Sequence, residues 1–282
     1  MDVISSASNP TVREVRRLAA ARGRAKAGRF LLEGPEGIRA ALAAGHAPAL
    51  LLATEAAAGR HAGLLNQARQ RGARVVLVAP GLLAGLADTA APQGLLAAVP
   101  SVARTLDGLP AAPRLVCVLA EVRDPGNLGT VIRAADAFGA DAVATTARSA
   151  DPEQPKAVRA AAGSLFHLPV LAGVAWPALR SALRERGLLL VGADPHAAAT
   201  VEAAPLERPT ALVLGNEAHG LPAEVRAGLD RTVRLPLPGR AESLNLAAAA
   251  AVLLYETARR QRLEDREGRE GKVRREEVVV GR

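Results

Sequence analysis

The sequence predicts an α/β protein in which a mostly parallel sheet is covered by helices on both faces and follows a smaller α/β unit. Short apolar runs alternate with helical stretches along most of the chain, as in sheets whose strands are joined by helical crossovers. A proline-containing stretch at 100–113 interrupts this alternation and predicts a linker. Because 282 residues suffice for two cores, we expect a domain at 1–105, a second at 106–262 and a charged tail at 263–282.

The first predicted domain begins with a helix and then alternates strands and helices. Val12, Val15 and Leu18 fall on one face of the helix expected at 11–21. Two further helices are expected, at 35–44 and 62–71. Four apolar runs predict the strands of this domain, at 30–33, 49–53, 74–78 and 95–99.

The second predicted domain has the same alternation over a longer stretch. Five apolar runs predict its strands, at 115–120, 142–146, 188–192, 211–214 and 232–235. Helical periodicity predicts helices at 128–138, 154–162, 176–185, 222–228 and 243–260. Ligands of such folds bind at the carboxyl ends of the strands, so polar residues directly after a strand are the candidate site residues.

The composition excludes several classes of protein. A single cysteine, Cys117, excludes a disulfide framework and a cysteine-based zinc site, and no metal is expected. No apolar run is long enough to predict a membrane span, and the first ten residues lack the apolar core of a signal peptide. We therefore expect a cytoplasmic protein. Three Phe, one Trp and one Tyr are too few for a base-stacking platform.

The positive charge is concentrated in the first predicted domain. The whole chain has a formal charge of +8, and residues 1–105 carry 13 Lys and Arg against 6 Asp and Glu. Such a cluster favours an acidic partner, with nucleic acid as the first candidate. The candidate phosphate contacts are Arg13, Arg16, Arg17, Arg22, Arg24, Lys26 and Arg29.

The loop after the strand predicted at 115–120 contains two candidate residues. Asn127 is a plausible helix N-cap, and Arg133 follows six residues later. On spacing alone, Arg133 is more readily a surface or ion-paired helix residue than a catalytic one. Gly126 and Gly129 do not form the glycine fingerprint of dinucleotide-binding sites.

The loop after the strand predicted at 211–214 places Asn216, Glu217 and His219 between two glycines, Gly215 and Gly220. Glycines at a strand end let the backbone approach a ligand closely. An ordinary turn with a solvated Glu217 explains the pattern equally well.

The loop after the strand predicted at 232–235 leads into a helix rich in alanine. Glu242 and Ser243 suit the N-terminus of that helix. Capping alone explains Ser243, but it does not explain Asn245, which we expect inside the first turn, where Asn has only middling helix propensity.

Taken together, the three loops resemble the signature motifs of the SpoU/TrmH family of RNA 2'-O-ribose methyltransferases, in the SPOUT superfamily. The motifs read DPGNLGTVIRAADAFGA, LVLGNEAHGL and LPLPGRAESLNLAAA, and DPEQPKAVRAAAGSLFHLPV is similar to the family's connecting region. The resemblance covers about 115–256. Ala218 is a small departure, since a glycine is common there.

The first domain is similar to an RNA-binding domain that is often fused to these enzymes and is related to ribosomal proteins of the large subunit. The similarity rests on Ser8-Asn9-Pro10, the basic helix that follows, and the stretch GRFLLEG at 28–34.

The resemblance implies a deep trefoil knot that binds S-adenosylmethionine, largely through backbone groups of the second and third loops. It assigns the cofactor to Leu214, Gly215, Asn216, Leu235, Leu237, Ser243 and Leu244. It also implies a homodimer in which the arginine of one knot lies near cofactor loops of the other chain. The helix at 243–260 is a candidate interface, with burial inside one subunit as the alternative.

The resemblance places Arg133 at the ribose hydroxyl. A guanidinium is a poor base because its pKa exceeds about 12, so we expect Arg133 to stabilise the developing alkoxide. Asn127, Glu217, Ser243 and Asn245 would orient Arg133, the ribose or the phosphate.

Other functions stay open at this point. A non-catalytic RNA-binding protein on the same scaffold is one alternative, whereas the missing phosphate-binding fingerprint argues against a nucleotide-dependent dehydrogenase. Ribosomal RNA, transfer RNA and self-protection against a ribosome-targeting antibiotic are all possible substrate contexts. The fused first domain favours ribosomal RNA of the large subunit, by analogy.

Overall fold

The computed structural model describes the backbone of residues 3–280 and the side chains of residues 3–267. The chain divides into two compact units. The first unit comprises the chain up to Ala103 together with Asp124–Arg133 and Ala150–Val170, and the second comprises the remainder. One division thus falls beside the predicted boundary at 105, but two later segments also belong to the first unit.

The first unit is built on a four-stranded sheet. Its strands are β1 (Arg29–Glu33), β2 (Leu50–Ala53), β3 (Arg74–Leu77) and β4 (Leu95–Pro100). The spatial order is β1-β4-β2-β3. Strand β4 runs antiparallel to both of its neighbours, and β2 runs parallel to β3. All four strands predicted for this domain are confirmed, and three of them, β1, β2 and β4, are largely buried.

Six helices accompany this sheet. They are α1 (Pro10–Arg17), α2 (Ala21–Ala27), α3 (Pro35–Ala43), α4 (Glu55–Arg60), α5 (Ala62–Gln70) and α6 (Pro80–Ala84). Val12, Val15 and Leu18 pack into one core with Leu31 and Leu52 of the sheet, as their helical spacing predicted.

The prediction of one helix over 11–21 is wrong. Helix α1 begins after Asn9, whose side-chain oxygen accepts the Thr11 N–H at 2.9 Å, and it ends at Arg17. A Cβ atom on Gly23 would lie 1.8 Å from the Arg17 carbonyl oxygen. Helix α2 therefore turns back onto the end of α1 at a distance that only glycine allows.

The second sheet has six strands. They are β5 (Leu115–Leu119), β6 (Ala142–Thr146), β7 (Val170–Val174), β8 (Leu189–Ala193), β9 (Thr210–Leu214) and β10 (Arg231–Val233), in the order β10-β8-β9-β5-β6-β7. Strand β5 pairs in parallel with β6 and β9, and β8 pairs in parallel with β9 and β10. The predicted mostly parallel sheet is confirmed. Strand β7 was not predicted, because Pro169 and Gly173 interrupt its apolar run.

Five helices follow strands of this sheet or precede the next ones. They are α7 (Pro125–Phe138), α8 (Pro155–Ala161), α9 (Trp176–Glu185), α10 (Ala223–Ala227) and α11 (Leu246–Val280). The predicted helices are all present, but α7 begins three residues earlier than expected and α11 three residues later. Helix α11 also continues into the predicted tail, whose side chains beyond residue 267 lie outside the described part.

The core of the second unit is a layer of small and branched apolar residues beneath α9. Val118 and Val213 of the sheet are fully buried and pack in one cluster with Trp176, Leu179 and Leu183 of α9. Within the described residues, no helix is both long and apolar enough to cross a membrane. The same residues contain no group of three His, Cys, Asp or Glu side chains placed to hold a metal ion.

Candidate active site

The first and second loops leave the sheet side by side. Strands β5 and β9 are parallel neighbours, with Leu119 paired to Leu214 at their carboxyl ends. The Ala120 N–H donates to the Leu214 carbonyl at 2.8 Å, which continues the pairing one residue into the loop. The sheet topology therefore gathers the start of the first loop and the whole of the second loop at one edge, as the sequence predicted.

Asn216 joins these two loops. Its side-chain nitrogen donates to the Glu121 carbonyl at 2.9 Å, and its side-chain oxygen accepts the N–H groups of Ala218 and His219. Contacts within the protein thus occupy both ends of this amide. The side chain of Asn216 thus holds the two loops together, and its contact with the cofactor stays a prediction.

Gly215 is required by the closure of the second loop. A Cβ atom at this position would lie 2.2 Å from the carbonyl carbon of Gly220. Asn216 and Gly220 exchange both of their backbone hydrogen bonds, and Gly220 has a φ of +66°. The two glycines are therefore needed to form the tight turn itself. The sequence pattern alone could not separate this reason from a need for the backbone to approach a ligand closely.

Glu217 reaches back to the first loop. Its carboxylate accepts the Arg123 N–H at 3.3 Å, and both residues are exposed. His219 is exposed in the same turn. The second loop therefore contacts the first at Arg123 as well as at Glu121.

Two non-glycine residues with left-handed backbones stand at the ends of β5 and β6. Glu121 has a φ of 56° and Arg148 a φ of 68°, and their side chains form an ion pair. The Glu121 N–H donates to the Thr146 hydroxyl at 3.0 Å. Such backbones cluster at functional sites, but no sequence pattern marks them, so Glu121 and Arg148 were missed.

The N-cap of α7 is Asp124, and the prediction of Asn127 in that position is wrong. The Asp124 carboxylate accepts the Asn127 N–H at 2.7 Å, and the Asp124 carbonyl accepts from Leu128. Pro125 occupies the first helical position, where proline is favoured. Lys156 and the Asn127 N–H hydrogen-bond the Asp124 carboxylate and lower its pKa. Asn127 consequently lies within the first turn, half-buried.

Arg133 lies about two turns further along α7. Its side chain is exposed and makes no ion pair or hydrogen bond with any residue in the part of the chain that the structure describes. Of the two simpler expectations, the structure removes an ion-paired helix arginine, whereas an exposed surface arginine agrees with this placement. The guanidinium is available to a partner outside the chain.

The third loop shows that Asn245 caps α11. Its side-chain oxygen accepts the Ala247 N–H at 2.9 Å and the Ala248 N–H at 3.4 Å. The expectation that Glu242 and Ser243 cap this helix is wrong, because the helix starts only at Leu246. Ser243 and Leu244 are exposed before the cap.

The backbone of the third loop fits a nucleoside cofactor such as S-adenosylmethionine. Between residues 3 and 267, no backbone hydrogen bond is formed by residues 235–244 with other backbone groups. Leu235 and Leu237 are half-buried, and Leu244 is 40% exposed. Backbone amide and carbonyl groups that are not used within the protein can hydrogen-bond the edge of an adenine. The neighbouring leucine side chains can pack against its faces.

The predicted site residues fall in both compact units. Asn127 and Arg133 belong to the first unit, whereas Glu217, Ser243 and Asn245 belong to the second. Within the second unit, the structure joins Glu217 and Asn216 to the first loop by the contacts described above.

Five of the seven predicted phosphate contacts lie on the surface of α1 and α2 without an ion pair to any described residue. They are Arg13, Arg16, Arg17, Arg22 and Lys26. Arg29 is half-exposed and pairs with Glu14 at 3.0 Å.

The prediction that Arg24 contacts RNA is wrong. Its side chain is 5% exposed and donates to Asp151 through Nε and Nη2 at 3.0 and 2.5 Å. It also donates to the carbonyl groups of Leu18 and Ala19. A buried guanidinium with this set of partners holds the turn between α1 and α2.

Two family models match the chain. Residues 114–255 match the SpoU rRNA Methylase family, and residues 9–97 match the MRM3-like substrate binding domain. The first match contains all three loops, and the second contains the basic helices.

Individual relatives align with nearly the whole chain. The 23S rRNA (guanosine(2553)-2'-O)-methyltransferase of Bacillus subtilis is 32% identical over 90% of this chain and 98% of its own. The AdoMet-bound rRNA methyltransferase of Sinorhizobium meliloti is 28% identical, with a TM-score of 0.82 over 92% of this chain and 97% of that one.

A third comparison gives the same result. The SpoU methyltransferase AviRb of Streptomyces viridochromogenes, solved in complex with the cofactor AdoMet, is 33% identical, with a TM-score of 0.79 over 90% of this chain and 98% of that one. The resemblance inferred from the three loops is thus confirmed. With one family model covering half of the chain and relatives aligned over nine-tenths of it, the protein belongs to the SpoU rRNA methylase family.

Proposed function

We propose that the protein transfers a methyl group from S-adenosylmethionine to a ribose 2'-hydroxyl of large-subunit ribosomal RNA. One observation carries the proposal. Arg133 is an exposed guanidinium without a partner in the described part of the chain, on the helix that begins directly after the β5 loop. The relatives named above are ribosomal RNA methyltransferases, which supports the choice of substrate.

The chemistry requires a positioned hydroxyl and a way to accommodate its lost proton. Bound S-adenosylmethionine supplies an electrophilic methyl group on a sulfonium. The ribose hydroxyl is almost un-ionised at neutral pH, so a fixed positive charge at its oxygen favours the alkoxide that develops during transfer. Arg133 provides that charge, and its fork of N–H donors can hold the adjoining phosphate at the same time. The hydroxyl proton passes to solvent water as the new bond between oxygen and the methyl carbon forms and the bond from that carbon to sulfur breaks.

Four polar residues orient the reactants in this proposal. Asn127 lies in the first turn of α7, the helix that carries Arg133. Glu217 and Ser243 are exposed on the second and third loops. Asn245 acts by capping α11. The cap fixes the point at which Ser243 and Leu244 lead into the helix.

Backbone groups hold the cofactor in this proposal. The residues concerned are Leu214, Gly215, Leu235, Leu237 and Leu244. Asn216 acts indirectly, because its amide joins the second loop to the first. These loops belong to the segment for which the resemblance implies a trefoil knot.

The basic surface of α1 and α2 binds RNA phosphates. Arg13, Arg16, Arg17, Arg22 and Lys26 are exposed there, and Arg29 is partly neutralised by Glu14. The match of residues 9–97 to a substrate-binding domain supports the assignment of RNA recognition to this region. Action in the cytoplasm is supported by the bacterial ribosomal RNA methyltransferases that the chain resembles, since bacteria assemble their ribosomes there.

We also propose that the protein works as a homodimer through α11. Val252, Tyr255 and Leu263 are exposed apolar residues on one face of that helix, and the Tyr255 ring packs edge-on against Phe138 at 5.7 Å. A second copy would cover this face. Light scattering of the wild-type protein and of a Tyr255→Glu variant checks this, since only the variant should be monomeric.

The function is tested with purified protein, isotope-labelled S-adenosylmethionine and separate samples of 23S ribosomal RNA, 16S ribosomal RNA and transfer RNA. We expect label in 23S RNA, as a 2'-O-methyl nucleoside resistant to alkaline hydrolysis on its 3' side. Label in transfer RNA alone would contradict the substrate, and label on a base would contradict the reaction. Absence of cofactor binding by calorimetry would favour the non-catalytic alternative.

A further inference from the structure

Three charged side chains at the start of α8 each have a partner in a different segment of the first unit. Asp151 pairs with Arg24 of α2, and Lys156 pairs with Asp124 before α7. Glu153 accepts hydrogen bonds from residues 101–103. The six residues 151–156, which we call the bridge segment, therefore contact the RNA-binding helices, the linker and the catalytic helix.

The contact with α2 joins a buried Arg24 to a partly exposed Asp151, and two nitrogens of the arginine take part in it. Arg24 donates to one oxygen of Asp151 through two nitrogens, and the other oxygen of Asp151 accepts the Glu153 N–H at 2.8 Å. Charge-assisted pairs with several donors hold their geometry better than single bonds. The orientation of α2 is thereby set relative to the bridge segment.

Glu153 attaches the linker to the same segment. Its side chain is 6% exposed, and one of its oxygens accepts the Ser101 hydroxyl and the N–H groups of Val102 and Ala103 at 2.7 to 2.9 Å. A buried carboxylate with three donors is well satisfied. The chain that leaves β4 is thus held at the bridge segment.

Lys156 attaches the start of α7. Its ammonium lies 2.7 Å from an Asp124 oxygen, while the other oxygen of Asp124 accepts the Asn127 N–H. The lysine stem passes over Gly126, where an added Cβ would lie 3.1 Å from the lysine Cε. The cap of the catalytic helix is therefore held from the bridge segment.

The two helices also touch directly. A Cβ atom on Gly129 would lie 2.3 Å from the Ala157 carbonyl oxygen and 2.7 Å from the Ala160 Cβ. Helices α7 and α8 can slide little against each other at this contact, because the closest atoms belong to the backbone and to an alanine Cβ and cannot move aside as a flexible side chain would. A change in the position of the bridge segment would consequently move the first turn of α7.

On the basis of the proposed function, we propose that the bridge segment positions both the RNA-binding helices and the catalytic helix, each through its own ion pair. Lys156 is then a positioning residue that acts on Asn127 and Arg133 through Asp124, and Asp151 is a positioning residue that acts on the basic surface through Arg24.

The decisive variant is Lys156→Met, which keeps the stem over Gly126 and removes the charge. The Lys156 side chain is 52% exposed, so the variant should fold. We expect the single-turnover rate of methyl transfer to fall about tenfold, because small displacements of catalytic groups cost rate. The dissociation constants of RNA and of S-adenosylmethionine should change less than twofold, and Lys156→Arg should restore most of the rate.

The matched control is Arg159→Met. Arg159 lies on the same helix with a similar exposure of 45% and also forms an ion pair, but its partner is Asp88 instead of Asp124. This variant should keep the wild-type rate. Equal losses in both variants would overturn the proposal, since they would show only a general effect of α8.

The RNA side of the bridge segment is tested with Asp151→Asn. We expect a KM for RNA raised several-fold with kcat nearly unchanged, the opposite pattern to Lys156→Met. A loss in KM alone for Lys156→Met would indicate a direct RNA contact and would overturn its positioning role.

A second measurement does not depend on activity. In hydrogen exchange on the full-length protein, Lys156→Met should speed exchange of the Asn127 and Leu128 amides, whereas Arg159→Met should not. Unchanged exchange would overturn the positioning role of Lys156 even if methyl transfer is observed. Faster exchange without methyl transfer by the wild-type protein would instead overturn the proposed function and leave that positioning role standing.

Discussion

The side-chain amide of Asn216 donates a hydrogen bond to the backbone carbonyl of Glu121 over 2.9 Å and so joins the loops after two neighbouring parallel strands. The same amide closes its own turn by accepting two N–H groups. The second loop is therefore shaped by the first, which supplies the acceptor from a residue with a left-handed backbone.

Replacing Asn216 with Asp should separate these loops. The carboxylate cannot donate, so it would face the Glu121 carbonyl oxygen and leave it without this donor. We expect the free energy of unfolding to fall by about 1–3 kcal/mol and the dissociation constant of S-adenosylmethionine to rise about tenfold. Urea titration and calorimetry measure the two effects.

The matched control for that variant is Asn66→Asp on α5, where the exposed amide accepts from Arg69. It should change neither quantity appreciably. If Asn216→Asp lowers stability but leaves cofactor affinity as in the wild type, the loop pairing does not support cofactor binding.

Replacing Arg133 with Ala should abolish methyl transfer selectively. Loss of a group that stabilises a developing oxyanion costs about 10²–10³ in kcat. Cofactor affinity should stay within twofold, because the proposed cofactor contacts are backbone groups elsewhere. Single-turnover assays and calorimetry give the two values, with Arg69→Ala as a surface control. Near-wild-type turnover would contradict the assigned role.

Neutralising Arg13, Arg16 and Arg17 together should weaken RNA binding and flatten its dependence on salt. Each lost phosphate contact lowers the slope of log K against log salt by about 0.7–0.9. Cofactor affinity should not change. Filter binding over a range of salt concentrations measures the slope.

A control of equal charge is the triple variant at Arg39, Arg60 and Arg69, which are arginines elsewhere in the first unit. If it flattens the slope as much, net charge explains the binding and the surface of α1 and α2 has no special part.

Arg22 and Arg24 should respond in opposite ways to substitution with Met. Arg24 is buried in its contacts with Asp151 and two carbonyl groups, so Arg24→Met should lower the free energy of unfolding by about 2–3 kcal/mol. Arg22→Met should leave stability nearly unchanged and reduce the salt slope of RNA binding. Urea titration and binding assays distinguish them, and the reverse outcome would contradict the placement of Arg24.

Cys117 should be unreactive until the protein unfolds. It is fully buried on β5, and loss of solvation raises the pKa of its thiol from 9.0 to about 12. A thiol-reactive dye at pH 8 should label the urea-unfolded chain within minutes and the native protein only at the rate of unfolding. Rapid labelling of the native protein would contradict this burial.

The same shift makes an alkaline prediction. The unfolded thiol ionises near pH 9, whereas the folded thiol stays protonated up to about pH 12. The unfolded state therefore binds fewer protons between these values, and stability falls as the pH rises through that window. Cys117→Ala should remove this part of the pH dependence in urea titrations, whatever its effect on stability at pH 7.

The strands and the positions of the loops were accessible from the sequence. In the part of the chain that the structure describes, nine of the ten strands coincide with apolar runs. An apolar run between turn residues is stabilised most simply by burial in a sheet. The three loops follow from the ends of those strands. Strand β7 was missed because proline and glycine interrupt its run.

The helix ends were less accessible. Asp124, Asn127, Ser243 and Asn245 are all good capping residues, so composition alone does not decide which of them caps. The choice depends on where the preceding strand releases the chain. In each case the cap lies two or three residues from the expected position.

The sequence by itself determined the fold class, the order of elements, the family and the clustering of positive charge near the N-terminus, because these depend on local patterns along the chain. Only the tertiary structure decided which arginines of that cluster are exposed. Arg22 and Arg24 are indistinguishable as letters, yet one faces solvent and the other is buried against Asp151, 127 residues away. The sequence does not show whether a charged side chain points to solvent or to the interior. The packing of α1 and α2 against the bridge segment decides this for each arginine.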